Sequence, residues 1–328
     1  MNYSASPSKR ETFDRLFPLL KGATSAAAPM IAADHLAHIL KLPLIEVCRN
    51  GKLLAEGFLK ARQLYDSDFI IVFADVSVES EAMGIKLEYF HNRNPQPVKH
   101  LAWNELEQVD MVSRGRLPQL LRAAEICREE SDAGFPIFFS MKDPFSLAAM
   151  ALGTETFLEK LLLDPDRITE ALEICCSNQQ QLIAAVISEG FIPFVGAPIA
   201  SGGLIGAENF RRFALPYLER LFTEVDRKKS FRCLHVCGEI GMLTTELADL
   251  KLHLLSFEDW HPEMWNHLAN TIPMGFVPTN LFRAGSAETV REATLSCRRI
   301  LPEPYVLSTG CDLPANAKPE LVQAMMNC

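Results

Sequence analysis

His235 and Cys237 stand two residues apart in FRCLHVCGE, and Cys311 closes YVLSTGC further along. Neutral imidazole and thiolate are preferred ligands of zinc. Three protein ligands leave a position open, and an open position separates a catalytic zinc from a structural one. The set therefore points to a zinc enzyme that activates something bound in the fourth place. FRCLHVC (231–237) is a short run rich in apolar residues, with charge before it and Gly238 after it, and reads as a buried strand. Strand side chains repeat every two residues, so His235 and Cys237 share a face. Cys233 shares that face too and reads as core, because unligated Cys behaves as a small hydrophobe. Cys311 follows a second strand-like run, YVLSTG (305–310). Two near-adjacent parallel strands would bring all three ligands to one end of a sheet.

The elements that would position them alternate along the chain. Strand-like runs fall at 27–32, 69–75, 135–141, 192–197, 231–237, 252–258, 275–280 and 305–310, mostly short, apolar on both faces and flanked by Gly, Pro or Asp. Helical patterns lie between them. One covers 117–130. A long one starts near Asp164 or Asp166, as caps, and ends at Gly190. The stretch 208–228 contains Pro216, where a kink or break is expected, and 286–301 has Ser286 as its cap. Eight strands alternating with helices predict a (β/α)8 TIM barrel, with an open doubly wound sheet as the alternative. We expect a single domain over 1–328 with helical decoration over about 1–68; the stretches 33–68 and 76–116 look like insertions.

Barrel enzymes place reactive groups at the C-terminal ends of strands. Asp75, Asp143, Ser201, Glu258, Asp259 and Asn280 occupy such positions. Asp75 and Glu258 are the catalytic candidates, and Asn280 and Ser201 the substrate-binding ones. Asp75 and Asp143 could instead cap helices, and Asn280 could supply turn chemistry. The histidines other than His235 lack comparable partners and read as surface or core.

A formal net charge of −9 argues against a nucleic-acid face. No uninterrupted apolar stretch is long enough for a membrane span, and the N-terminus lacks an apolar signal core, so a cytoplasmic protein is expected. Nine cysteines in such a chain read as reduced thiols, some of them ligands.

Several longer segments resemble the uroporphyrinogen decarboxylase superfamily, over about 66–325. DSDFIIVFADVSVESEAMGIKLEYF is similar to the family's strand, Asp and E-A-x-G turn. KDPFSLAAMALGTETFLEKLLLDPDRI resembles its G-P-F-T-x-A…D-P block, and APIASGGLI with FRRFALPYLERLF its A-S-x-x-L-I…P-Y stretch. HVCGEIGML and LSTGCDLP match the H-x-C-G and G-C-D-x-P motifs of the branch that moves methyl groups from corrinoids to coenzyme M. The resemblance implies a (β/α)8 barrel and a Zn2+ ion held by His235, Cys237 and Cys311. It implies a small thiol acceptor such as coenzyme M and a methylcorrinoid donor. Glu258 or Asp75 would be a fourth ligand or a proton acceptor. The chain has no D-x-H-x-x-G cobalamin-binding segment, so the donor is expected on a separate corrinoid protein.

Two departures from the family bear on function. The Arg-rich R-P-x-W-x-M-R-Q-A-G-R segment with which its decarboxylases hold substrate carboxylates does not occur before Asp34. That weighs against the alternative, a cofactor-free uroporphyrinogen decarboxylase. In VGAPIASGG, Ala197 stands where the family usually has an acid before the proline.

Overall fold

A computed structural model describes residues 7–328. Eight parallel strands form one sheet: β1 Ser25–Ala27, β2 Ile70–Val72, β3 Ile137–Lys142, β4 Ile192–Ala197, β5 Cys233–Val236, β6 Leu254–Ser256, β7 Ile272–Val277 and β8 Tyr305–Thr309. Every residue of β2, β5, β6 and β8 is buried. Both faces of the sheet are covered, which is why these segments read as mostly apolar runs.

From β2 to β8 each strand pairs with the next in chain order, and β8 pairs with β1, Ser25 opposite Tyr305 and Ala27 opposite Leu307. The β1–β2 seam has no ladder and is closed by single bonds. Asp68 N–H donates to the Ala27 carbonyl at 2.9 Å, Ala27 N–H donates to Asp68 Oδ2 at 2.7 Å, and Ala33 N–H donates to the Ala74 carbonyl at 2.9 Å. A cyclic order without a switch point is a (β/α)8 barrel and not a doubly wound sheet.

The helix Lys9–Leu16 carries a capping box between Ser8 and Glu11. Its Phe13 and Leu16, with Phe17, pack in one buried cluster with Phe69, Phe138, Phe194, Cys233, Leu254 and Ile272. These lie in the lower layers of the barrel interior, so the N-terminal helix plugs the end opposite the strand C-termini. Cys233 is core, and the next side chain on its face, His235, emerges at the other end.

The β1–β2 connection holds the helices Ala33–Leu40, Leu44–Val47 and Gly51–Tyr65. Between β2 and β3 lie the short helix Val78–Ala82 and an antiparallel hairpin, Lys86–Glu88 with Gln96–Lys99. The first strand sits earlier than the 27–32 expected from sequence, and the seventh earlier than 275–280. Pro273 lies inside β7, opposite Leu255 of β6. The break expected at Pro216 is a π-helical turn, Phe210–Ala214, directly before the helix Leu215–Arg227. Pro216 then falls in a first turn, where its missing N–H costs no bond. Asp164 takes the N-cap position of Pro165–Ser188 without a side-chain bond, and Gly190 follows at φ +84°. Ser286 Oγ does cap its helix, accepting from Thr289 N–H at 3.2 Å. Among the described residues, no helix is long and apolar enough to cross a membrane.

Candidate metal centre at the barrel mouth

The C-terminal ends of β5, β6 and β8 converge on one point. Ligand atoms of His235, Cys237, Glu258 and Cys311 all lie within 4.8 Å of one another. His235 ends on β5 in register with Ser256 of β6. Its Nδ1 is 3.0 Å from Ser256 Oγ, and its Nε2 is 3.1 Å from Cys237 Sγ. The serine occupies one ring nitrogen, so the other faces the cysteines, which is how second-sphere partners orient a metal-binding imidazole. Gly238, at φ +68°, turns the chain after Cys237 and donates its N–H to Glu258 Oε1 at 2.9 Å. Gly310 lets β8 pass close to β6: a Cβ there would stand 3.2 Å from Glu258 Cα.

The charges in this cluster lean on one another. A hydrogen bond from Cys237, reinforced by His235, holds the Cys311 thiol well below its ordinary value, despite burial. The same bond, with burial, pushes Cys237 up. Burial pulls His235 down, but the bond to Cys311 and its charge outweigh it, and the imidazole titrates above its usual value. One imidazole, two thiols and a carboxylate within a few ångströms is a soft, mixed donor set that fits a four-coordinate zinc. All nine cysteines are free.

Beside the cluster opens a cavity of about 130 Å³. His235, Cys237, Cys311 and Asp312 line one side, and Met30, Ile71, Phe73 and Phe194 are among the apolar residues on the other. Burial, then the neighbouring Cys311, raises Asp312 to about 7.

The remaining residues singled out from sequence lie apart from this point. Asp75 lies three residues past the end of β2, buried and bound by Arg116: the Arg116 Nη2–Asp75 Oδ1 distance is 3.0 Å and Nη1 pairs with Oδ2. Asp75 Oδ1 also accepts from Ser77 N–H at 2.9 Å, and Arg116 Nε bonds Glu81 Oε2 at 2.7 Å. Both oxygens of this carboxylate are engaged by partners, and Asp75 is not among the residues lining the cavity. Asn280 is exposed, and its carbonyl accepts from Arg283 and Ala284 in a short helical turn. Ser201 starts the helix Gly202–Asn209 without a side-chain capping bond and is buried, and it is not among the residues lining the cavity. Asp143 caps the helix Pro144–Leu152, accepting from Phe145 N–H at 3.0 Å and Ser146 N–H at 3.2 Å. Burial raises it to about 6.

Three further residues at the site were not legible as such in the chain alone. Ser256 is a polar residue inside the apolar run LHLLSFE. Asp312 follows Cys311 directly. Lys142, at the end of β3, lines the cavity and is paired with Glu79. Each carried a signal, a polar group at a strand end, but not the pairing that gives it meaning.

A closed parallel barrel with soft donors at its C-terminal mouth defines a class of barrel enzymes. Within it, the uroporphyrinogen decarboxylase (URO-D) family profile matches residues 14–328, and the chain belongs to that family. It is 25% identical over 220 residues to methylcobamide:CoM methyltransferase MtaA of Methanosarcina barkeri, covering 65% of this chain and 64% of the relative. It is 27% identical over 247 residues to a methylated-thiol–coenzyme M methyltransferase of Methanosarcina mazei, covering 72% and 65%. A uroporphyrinogen decarboxylase of Geobacter sp. (strain M21) is 24% identical over 238 residues, covering 70% and 68%. The chain thus spans 64% and 65% of the length of these two methyltransferase relatives. A solved methyltransferase from Methanosarcina mazei shares the fold with a TM-score of 0.82 over 98% of both chains, at 21% identity.

Proposed function

We propose that the protein is a zinc-dependent methyltransferase that carries a methyl group from a methylated corrinoid, held by a partner protein, to a small thiol. The convergence of His235, Cys237, Glu258 and Cys311 within 4.8 Å beside a cavity carries this reading. The methyltransferase relatives support it. His235, Cys237 and Cys311 would hold the zinc, with Glu258 as the fourth donor until the acceptor sulfur takes its place. Bound zinc would supply the Lewis acidity that keeps an acceptor sulfur as thiolate at neutral pH.

The chain's own residues do the rest. Ser256 fixes the imidazole. The apolar wall keeps water from the reacting sulfur, which strengthens every charge interaction there. Glu258 Oε2, with Oε1 engaged by Gly238, can take the proton that the acceptor gives up. In the transfer a C–S bond forms, the Co–C bond breaks, and its electron pair stays on cobalt, taking Co(III) to Co(I). Val76, Leu204 and Met242, on segments after β2, β4 and β5, are 43%, 49% and 46% exposed. They give the mouth an apolar rim suited to a docked corrinoid carrier. Free thiols throughout fit a cytoplasmic setting.

A decarboxylase reading has a family relative in its favour, but Arg116 is already spent on Asp75 and Glu81 and is not free for a polycarboxylate. The decisive experiment is zinc-edge X-ray absorption with and without thiols, run beside demethylation of methylcobalamin and of a corrinoid protein. An added sulfur ligand and zinc-dependent demethylation are expected. If no thiol adds sulfur and no donor is demethylated, the reading fails. Formation of coproporphyrinogen from uroporphyrinogen would replace it with the decarboxylase.

A further inference from the structure

We infer that the acceptor is a short thiol with an uncharged tail, and that the Glu79–Lys142 pair excludes thiols with anionic tails. The inference rests on the methyl-transfer reading and names its acceptor.

Lys142 is the one lysine or arginine among the residues lining the cavity. It is already neutralised. Lys142 Nζ donates to Glu79 Oε2 at 2.8 Å, and its backbone N–H donates to Glu79 Oε1, also at 2.8 Å. Both carboxylate oxygens are thus anchored to one residue, and both side chains are about 5% exposed or less. A buried ion pair of this kind is costly to open, because separating it leaves an uncompensated charge on each side. The other ionisable lining group outside the candidate ligands, Asp312, offers no positive charge.

A sulfonate or carboxylate entering this space would find no unpaired cation and would lose its hydration. The wall that meets the tail is hydrocarbon and sulfur, with Ile31, Ile71, Phe73, Met141 and Phe194 in it. A volume of about 130 Å³ is near the ~150 Å³ of an apolar cavity that takes up benzene, enough for a tail of a few carbons. Coenzyme M, 2-mercaptoethanesulfonate, is therefore the wrong acceptor here, although relatives are named for it. The reaction keeps its balance: the alkanethiol gives up a proton and receives the methyl group, the Co–C bond breaks, and cobalt keeps the electron pair.

The test is calorimetric binding to the zinc-loaded protein of 1-propanethiol and of 2-mercaptoethanesulfonate. We expect 1-propanethiol to bind at least ~10-fold more tightly, given the cost of a buried unpaired anion. The substitution Glu79→Gln keeps hydrogen-bond acceptance by the side-chain oxygen but frees the Lys142 charge. It should shift the ratio at least ~10-fold toward the sulfonate, as exposing an unpaired buried cation to an anion predicts. Should that variant misfold, the wild-type ratio still decides.

Equal or tighter binding of the sulfonate to the wild type overturns the inference, as does binding of neither thiol. Sulfonate methylation in preference to propanethiol would do the same while leaving methyl transfer standing. If propanethiol binds selectively but no thiol demethylates any corrinoid, the pocket's selectivity stands and the methyl-transfer reading falls.

Discussion

His235 Nδ1 lies 3.0 Å from Ser256 Oγ, across two strands paired in register, so β6 sets the orientation in which β5 presents its imidazole to Cys237. The contact predicts a measurable effect away from the donor atoms themselves. Ser256→Ala should leave the barrel folded and weaken zinc binding by roughly 10- to 100-fold, the usual cost of losing an outer partner of a ligating histidine. Competition with a chromophoric chelator measures it, and an unchanged affinity would show that the serine does not orient the ring.

Cys237→Ala and Cys311→Ala should each lose most of about one zinc per chain, since three or four convergent soft donors make one mononuclear site. Circular dichroism should stay that of the parent, because both residues lie beyond the strand ends and are only half-buried. Full zinc in both variants by elemental analysis would dissolve the site.

The Asp75–Arg116 pair should govern stability and not metal content. Arg116→Met strands the Asp75 carboxylate in the interior, and removal of one partner of a buried pair costs about 3–5 kcal/mol. Urea unfolding should show that loss with zinc retained. A variant of parental stability that no longer turns over would instead return Asp75 to the chemistry.

His35 predicts an acid-sensitive element outside the mouth. It is fully buried, with Nε2 2.8 Å from Tyr65 Oη and Nδ1 3.3 Å from the Ala315 carbonyl. Burial pulls it from 6.5 to about 4. Between those values the unfolded chain binds a proton that the folded chain refuses. Its contribution is therefore complete above the unfolded value and is lost as pH falls toward the folded one. The shift corresponds to roughly 3 kcal/mol at about 1.4 kcal/mol per unit. In His35→Gln, the fall in stability between pH 6.5 and 4 should be shallower by about that amount; slopes that superimpose would reject the assignment.

The barrel was legible because its causes are local. Runs buried on both faces read as apolar in sequence, Ser286 and Gly190 mark their helix ends, and alternation of the two element types leaves few topologies. β1 and β7 begin earlier than their apolar runs suggest, at Ser25 and Ile272, because pairing with the neighbouring strand and not apolar character sets where a strand starts.

Which residues could do chemistry was legible in the chain alone. Period-two spacing puts Cys233 and His235 on one face, and the strand ends put His235, Cys237, Glu258 and Cys311 at one end of the barrel. Which of the strand-end groups meet is set by the packed barrel. Glu258 and Cys311 reach His235 because β6 and β8 curl toward β5 around the closed sheet. Asp75 is paired with Arg116, 41 residues away in the chain, and Lys142 with Glu79, 63 residues away. No local pattern encodes such distant pairings: the partner of a buried charge is fixed by which elements pack together, and that is a property of the folded chain as a whole.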